Sequence, residues 1–194
     1  MKQDREIIVE SFIYQNVLLV VAAIVLIALL SIVYASWRNG ISPMPSSAPV
    51  RRVVVDEIRR LQSRGVMVEA GSGWGTLAFQ AGRTSRNLRI IGIENSVIPM
   101  WISFMAAKLE KRTNVSFKKG DLYTYSYRDV DMVVCYLYPG AMRRLSPIFH
   151  EQLKPGAYVI SVCFALPDWE PERILICRDM YRTKVYVYKV KKTS

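Results

Sequence analysis

The chain has a single histidine, His150, and only three cysteines, Cys135, Cys163 and Cys177, in 194 residues. No two cysteines form a Cys-x-x-Cys pair, which excludes thiolate metal sites and dithiol redox motifs of that type. All three thiols fall in apolar, strand-like runs and read as reduced and buried. One histidine in a helical stretch supports neither a metal site nor a serine–histidine constellation. No internal repeat or low-complexity tract is present. Acid is scarce as well: 16 Asp and Glu stand against 27 Lys and Arg, a formal net charge of +11. Residues 1–40 hold three basic and three acidic side chains, so the whole excess sits in 41–194. The basic pairs there (Arg51-Arg52, Arg59-Arg60, Lys118-Lys119, Arg143-Arg144, Lys191-Lys192) are dispersed, as on a solvated surface. Such a domain is attracted to anionic lipid headgroups. No nucleic-acid-binding module is visible, so nucleic acid is not the expected partner.

One long apolar run is present. Residues 17–35 carry no charge. A helix rises about 1.5 Å per residue, so ~20 such residues span a hydrocarbon layer of ~30 Å. Tyr34 and Trp37 fall where interfacial aromatics belong. The run exceeds the roughly 7–15 residues of a signal-peptide core, and both acids and bases precede it. Lys and Arg are more numerous after the run than before it, which puts the large domain on the cytoplasmic side or its organelle equivalent. The expected organisation is a membrane anchor over 1–39, with a transmembrane helix over about 17–37. A Pro/Ser linker over 40–49 and a catalytic domain over 50–194 follow.

Within that domain, strands and helices alternate. Val50–Ser63 has helical apolar spacing, and strands are expected at Val66–Glu69, Leu88–Glu94, Val115–Lys118, Asp131–Tyr136 and Ala157–Phe164. Helices are expected at Thr76–Arg83, Pro99–Lys111 and Ala141–Leu153, the last open to a break at Pro147. Alternation of this kind predicts an α/β fold, a mostly parallel sheet with helices on both faces. Two last strands, Ile174–Cys177 and Thr183–Lys189, are too close together for crossover helices and form a hairpin, so one strand is antiparallel.

The richest stretch is Glu69-Ala-Gly-Ser-Gly-Trp-Gly75, between the first strand and the helix after it. A strand, a glycine-rich turn and a helix N-terminus make a nucleotide-handling turn. The dinucleotide spacing G-x-G-x-x-G fails, because Thr76 stands where the third glycine should be; an NAD-dependent oxidoreductase is the least favoured reading. Three features lie in register with the turn. Glu94 ends the second strand and can accept from ribose hydroxyls. Gly120-Asp121-Leu122 follows the third strand, with an acid for the adenine amine and an apolar side chain for its ring. Leu153-Lys-Pro-Gly156 precedes the fifth strand.

The ordered set resembles the class I, seven-β-strand S-adenosylmethionine-dependent methyltransferases over residues 50–190. The resemblance implies a Rossmann-like three-layer sandwich with strand order 3-2-1-4-5-7-6 and strand 7 antiparallel. It implies S-adenosyl-L-methionine as cofactor, with Glu69, Gly71 and Gly73 holding its methionine moiety and Ser72 and Gly75 also among the cofactor-binding residues of the turn. Glu94 and Asn95 would serve the ribose, and Asp121 and Leu122 the adenine. For Glu94 and Asp121 the plainer reading is a strand-end carboxylate capping a main-chain N–H. Tyr136-Leu-Tyr-Pro139 follows the fourth strand, where this superfamily faces its acceptor, so Tyr136 and Tyr138 are the substrate-channel residues. Phe164–Trp169 and the tyrosines at 181, 186 and 188 are a candidate lip. The anchor, Pro45–Ala48, Gly120–Tyr123 and Phe164–Trp169 together are similar to the small membrane-anchored protein-lysine methyltransferases related to the ATP synthase c subunit enzyme, with departures at Trp74 and Cys163. The expected acceptor is a lysine of a membrane-associated protein and the expected metal content is none. The alternatives are a lipid or quinone acceptor, or a cofactor-binding scaffold without turnover.

Overall fold

The computed structural model describes residues 2–39, 46–61 and 64–191. The chain divides into two compact units, Met1–Ser42 and Pro43–Ser194. The first is one helix, α1 (Lys2–Asn39), of 38 residues. Its most apolar stretch is Phe12–Ser31, with mean hydropathy 2.6 and no residue buried within the protein. That stretch starts earlier than the sequence reading, which stopped short of the polar pair Gln15-Asn16. The helix runs through the pair, and the Asn16 side-chain amide donates to the Phe12 carbonyl at 2.7 Å. Tyr34 is exposed; the Trp37 side chain and most of the expected linker, 40–45, lie outside the described residues.

The second unit begins with α2 (Ala48–Leu61), whose start takes the last two residues of the expected linker. Its apolar spacing turns Val50, Val54, Val55 and Ile58 inward. Then follow β1 (Gly65–Ala70), α3 (Thr76–Thr84), β2 (Leu88–Glu94), α4 (Val97–Leu109), β3 (Val115–Lys119) and β4 (Met132–Cys135). The chain continues through α5 (Pro139–Gln152), β5 (Tyr158–Val162), β6 (Arg173–Ile176) and β7 (Lys184–Lys189). The seven strands form one sheet in the order β3-β2-β1-β4-β5-β7-β6. β7 runs antiparallel to both β5 and β6, and every other pairing is parallel. This is the Rossmann-like methyltransferase topology implied by the sequence resemblance, the terminal hairpin included.

β1 and β4 are buried on both faces, as a central parallel strand requires. Alternate residues feed two cores. Met67, Met132, Val134 and Ile160 pack with α2 and α3 on one side. Val68, Val133, Val159 and Tyr127 pack with α5 on the other. α5 runs unbroken through Pro147. The proline lies on its exposed side, so water can satisfy the Arg143 carbonyl that loses its partner. Ala141, Met142, Leu145 and Phe149 hold the buried side in place. The cysteines need one correction: Cys135 and Cys177 are buried, but Cys163 is only partly so, in a left-handed conformation (φ 73°) just past β5.

Candidate active site

The C-terminal ends of β1, β2, β3 and β4 point the same way, and the loops leaving them form the site. All three glycines of the first loop have positive φ: 77° at Gly71, 51° at Gly73 and 72° at Gly75. That region penalises any side chain with a Cβ. Space adds a second demand at two of them. A Cβ on Gly71 would sit 2.7 Å from the Leu137 side chain, and one on Gly75 would sit 2.5 Å from the Phe117 ring. The loop is tied to β2 by Gly71 N–H and Ser72 N–H, both donating to the Ile93 carbonyl at 3.0 Å.

Two carboxylates stand over this loop, and both are buried. Glu69, within β1, accepts from the Ala78 N–H of α3 at 3.0 Å. Burial pushes its carboxyl up from 4.5 to about 8, against that hydrogen bond, with Glu94 adding to the rise. Glu94 at the tip of β2 accepts from Gly73 N–H at 2.8 Å through one oxygen and from Ser96 N–H at 2.7 Å through the other. Asp121, exposed beyond β3, accepts from Tyr123 N–H at 2.9 Å. Glu94 and Asp121 therefore do the main-chain capping of the plainer reading. A carboxylate oxygen has a second lone pair, so each retains capacity for a ligand. Asn95 is exposed and Leu122 half-buried beside them.

Two supporting residues escaped sequence reasoning. Ser103 Oγ on α4 donates to the Gly73 carbonyl at 3.1 Å, with the Pro99 carbonyl at 2.9 Å. It is the only hydroxyl in α4, and fully buried; a serine within an apolar helix is a faint signal. Tyr127 is also fully buried, and its hydroxyl donates to the Leu122 carbonyl at 2.9 Å, fixing the loop after β3. Nothing in its local pattern marks it.

A family model described as the ANTKMT methyltransferase domain matches residues 69–173, from Glu69 to the first residue of β6 and just over half the chain. The chain belongs to this family. A protein-lysine N-methyltransferase of Saccharolobus islandicus is 26% identical over 76% of this chain and 91% of its own length. The adenine nucleotide translocase lysine N-methyltransferase of Mus musculus is 28% identical over 74% of this chain and 67% of its own. Among solved structures, an RNA methyltransferase from Salinibacter ruber in complex with S-adenosyl-L-homocysteine superposes with TM-score 0.69. It is 29% identical, over 78% of this chain and 96% of that one. The protein is an S-adenosylmethionine-dependent methyltransferase.

The residues of this family member fit the cofactor. Ser72 Oγ is buried without a hydrogen-bond partner among the described residues, an omission that proteins seldom leave uncompensated. Two buried carboxylates complement a ligand bearing an ammonium, a sulfonium and a ribose diol.

The two tyrosines expected to line a substrate channel part company. Tyr138, half-buried, packs on the same core as Tyr123, whose ring lies 3.5 Å from the Arg144 guanidinium. It thus leans toward the loop after β3. Tyr136 is 38% exposed; its partial burial, with Cys163 and Asp179 nearby, raises its phenol above the usual value. The Asp179 carboxyl is held low by the Thr183 hydroxyl and N–H, which donate to it at 2.6 and 2.7 Å. Tyr136 thus keeps company with an anion at the β6–β7 turn. The lip is smaller than expected: Phe164 and Tyr181 are exposed, but Tyr188 is fully buried, its hydroxyl accepting from Leu166 N–H at 2.9 Å. Trp169 stacks on His150 at 4.3 Å, which gives the lone histidine a packing role.

Proposed function

We propose that the chain transfers a methyl group to the side-chain amine of a lysine in a membrane-associated protein, from a domain tethered by α1. The observation that carries the lysine acceptor is the agreement of the two curated relatives, both protein-lysine N-methyltransferases, each matched over about three quarters of this chain. The tether rests on the apolar stretch of α1.

Bound S-adenosylmethionine supplies a methyl already activated by the sulfonium charge, so the protein has mainly to align the amine and exclude water. Glu69 and Ser72 serve the methionine end, with Gly71, Gly73 and Gly75 giving close main-chain approach. Glu94 and Asn95 serve the ribose, and Asp121 and Leu122 the adenine. Tyr136, beside the Asp179 carboxylate, receives the incoming lysine; the anion favours the ammonium on approach, and entry into the drier channel favours its loss of a proton. Tyr138 braces the cofactor side through Tyr123.

The experiment is transfer of labelled methyl into a membrane extract by wild type and by Glu94→Ala. Label in a protein band, mapped to lysine and lost in the variant, is the expected result. Label in the solvent-extractable fraction would move the acceptor to a lipid or quinone, and label in RNA would favour the chemistry named for the Salinibacter protein, which the net charge of +11 also suits. Binding without turnover would leave a scaffold. Glu94→Ala is expected to weaken cofactor binding by about 2 kcal/mol, read by calorimetry.

A further inference from the structure

Helix α4 is apolar on the outside. It buries only Pro99 and Ser103, while Ala106 and Ala107 rest against the core. Val97, Trp101, Ile102, Met105 and Leu109 are 44–79% exposed. At 3.6 residues per turn these five fall within an arc of about 140°. Large contiguous apolar patches are uncommon on a free surface and mark a contact. Trp101 sets its indole edge-on to Phe104 at 6.1 Å, so its outer face is left for a partner.

The surroundings are basic. From Val97 to Lys119 the sequence has five Lys and Arg and one carboxylate, Glu110. Glu110 is spent on Arg83 at 2.6 Å and Arg112 at 3.1 Å. Lys108, Lys111 and Lys119 are exposed on this side, while Lys118, also exposed, alternates to the other face of β3. Lys108 Nζ lies 4.8 Å over the Phe104 ring, its stem along the apolar face. Beside α4 runs a groove of about 410 Å³, floored by Phe104, Ala107, Val115 and Phe117 and bordered by Lys108 and Lys111.

We propose that this face of α4 seats the catalytic domain on a bilayer bearing anionic headgroups, with Trp101, Ile102, Met105 and Leu109 at the acyl boundary and the lysines among the phosphates. Tryptophan and leucine on one side with lysine at the margin is the chemistry of an interfacial helix. A protein partner of ordinary composition would not call for three lysines that have no carboxylate partner among the described residues. The chain also carries its own candidate span, so a bilayer is the surface to hand. The inference deepens the membrane reading given above, but the two fail separately.

The test uses the full chain in vesicles whose acyl chains carry bromine, a contact quencher of indole, with and without phosphatidylglycerol. Wild type is compared with Trp101→Phe. The emission lost in the variant is expected to be quenched by roughly a third or more, as for an indole about 5–10 Å deep, and more so with the anionic lipid. Ile102→Glu with Met105→Glu, which keeps Trp101 as the reporter, should abolish the quenching while leaving cofactor affinity unchanged. If the chain resists alkaline extraction but the Trp101 component escapes quenching, the anchor stands and the α4 proposal falls. A chain that washes off yet shows quenched Trp101 emission keeps the proposal and loses the anchor. Quenching indifferent to phosphatidylglycerol overturns the anionic surface.

Discussion

At the scale of single residues, Glu69 has the most consequential chemistry. Its carboxyl is raised from 4.5 to about 8, mainly by burial. The folded state therefore holds that proton more tightly than the unfolded chain does. Stability from this source is complete below about pH 4.5 and is lost as pH rises through about 8, at up to ~1.4 kcal/mol per unit. Ligand-free wild type should lose thermal stability over that interval, and Glu69→Gln should flatten the slope. Affinity for the cationic cofactor should run the other way, rising with pH in wild type only. Equal slopes in the two proteins, by calorimetry and thermal melts, would sink the assignment. Gly75→Ala tests the cradle: left-handed φ and contact with Phe117 together should cost roughly 2 kcal/mol or more in a denaturant titration. The glycines and acids were readable in sequence because they cluster within seven positions, 69–75, and at strand ends. That Glu94 would cap Gly73 was not, since the two are 21 residues apart and meet only through the register of β1 with β2.

At the scale of elements, apolar periodicity placed every strand and helix of the second unit to within two residues at each end, and left open the details where charge or proline intervened. Pro147 looked like a break because proline removes a main-chain donor, yet the apolar side of α5, Ala141, Met142, Leu145 and Phe149, is packed and holds the helix together. Glu57 stands outside the apolar spacing of α2, yet its side chain is only 4% exposed, 2.7 Å from Arg60 and 3.4 Å from Arg173. It thereby joins the first helix of the unit to β6, far along the chain. The arginines are themselves 49% and 41% exposed, so water screens the pair and its worth is modest. Glu57→Ala should lower unfolding free energy by about 1–2 kcal/mol, leaving cofactor affinity unchanged. A double-mutant cycle with Arg173→Ala measures the coupling; additive losses would show that the bridge carries none of it.

At the scale of the whole molecule, an enzyme whose transfer chemistry needs no metal and no covalent intermediate gains most from being brought to its acceptor. Confinement of enzyme and substrate to one surface raises the effective concentration without any new contact. The tether reading thus makes a demand that the catalytic unit alone does not. Charges placed in the centre of the span, Val21→Lys with Ile24→Asp, should each oppose insertion by about 2.5–3.5 kcal/mol. The variant is expected to leave the alkaline-resistant membrane fraction. Its rate on a soluble lysine peptide should match wild type, because the proposed site residues, all within 69–138 or at Asp179, are untouched. Its rate on acceptors in native membranes should fall at least tenfold. Equal loss on both acceptors would mean that α1 supports folding rather than delivery, and no loss on either would leave the apolar stretch without a part in the reaction.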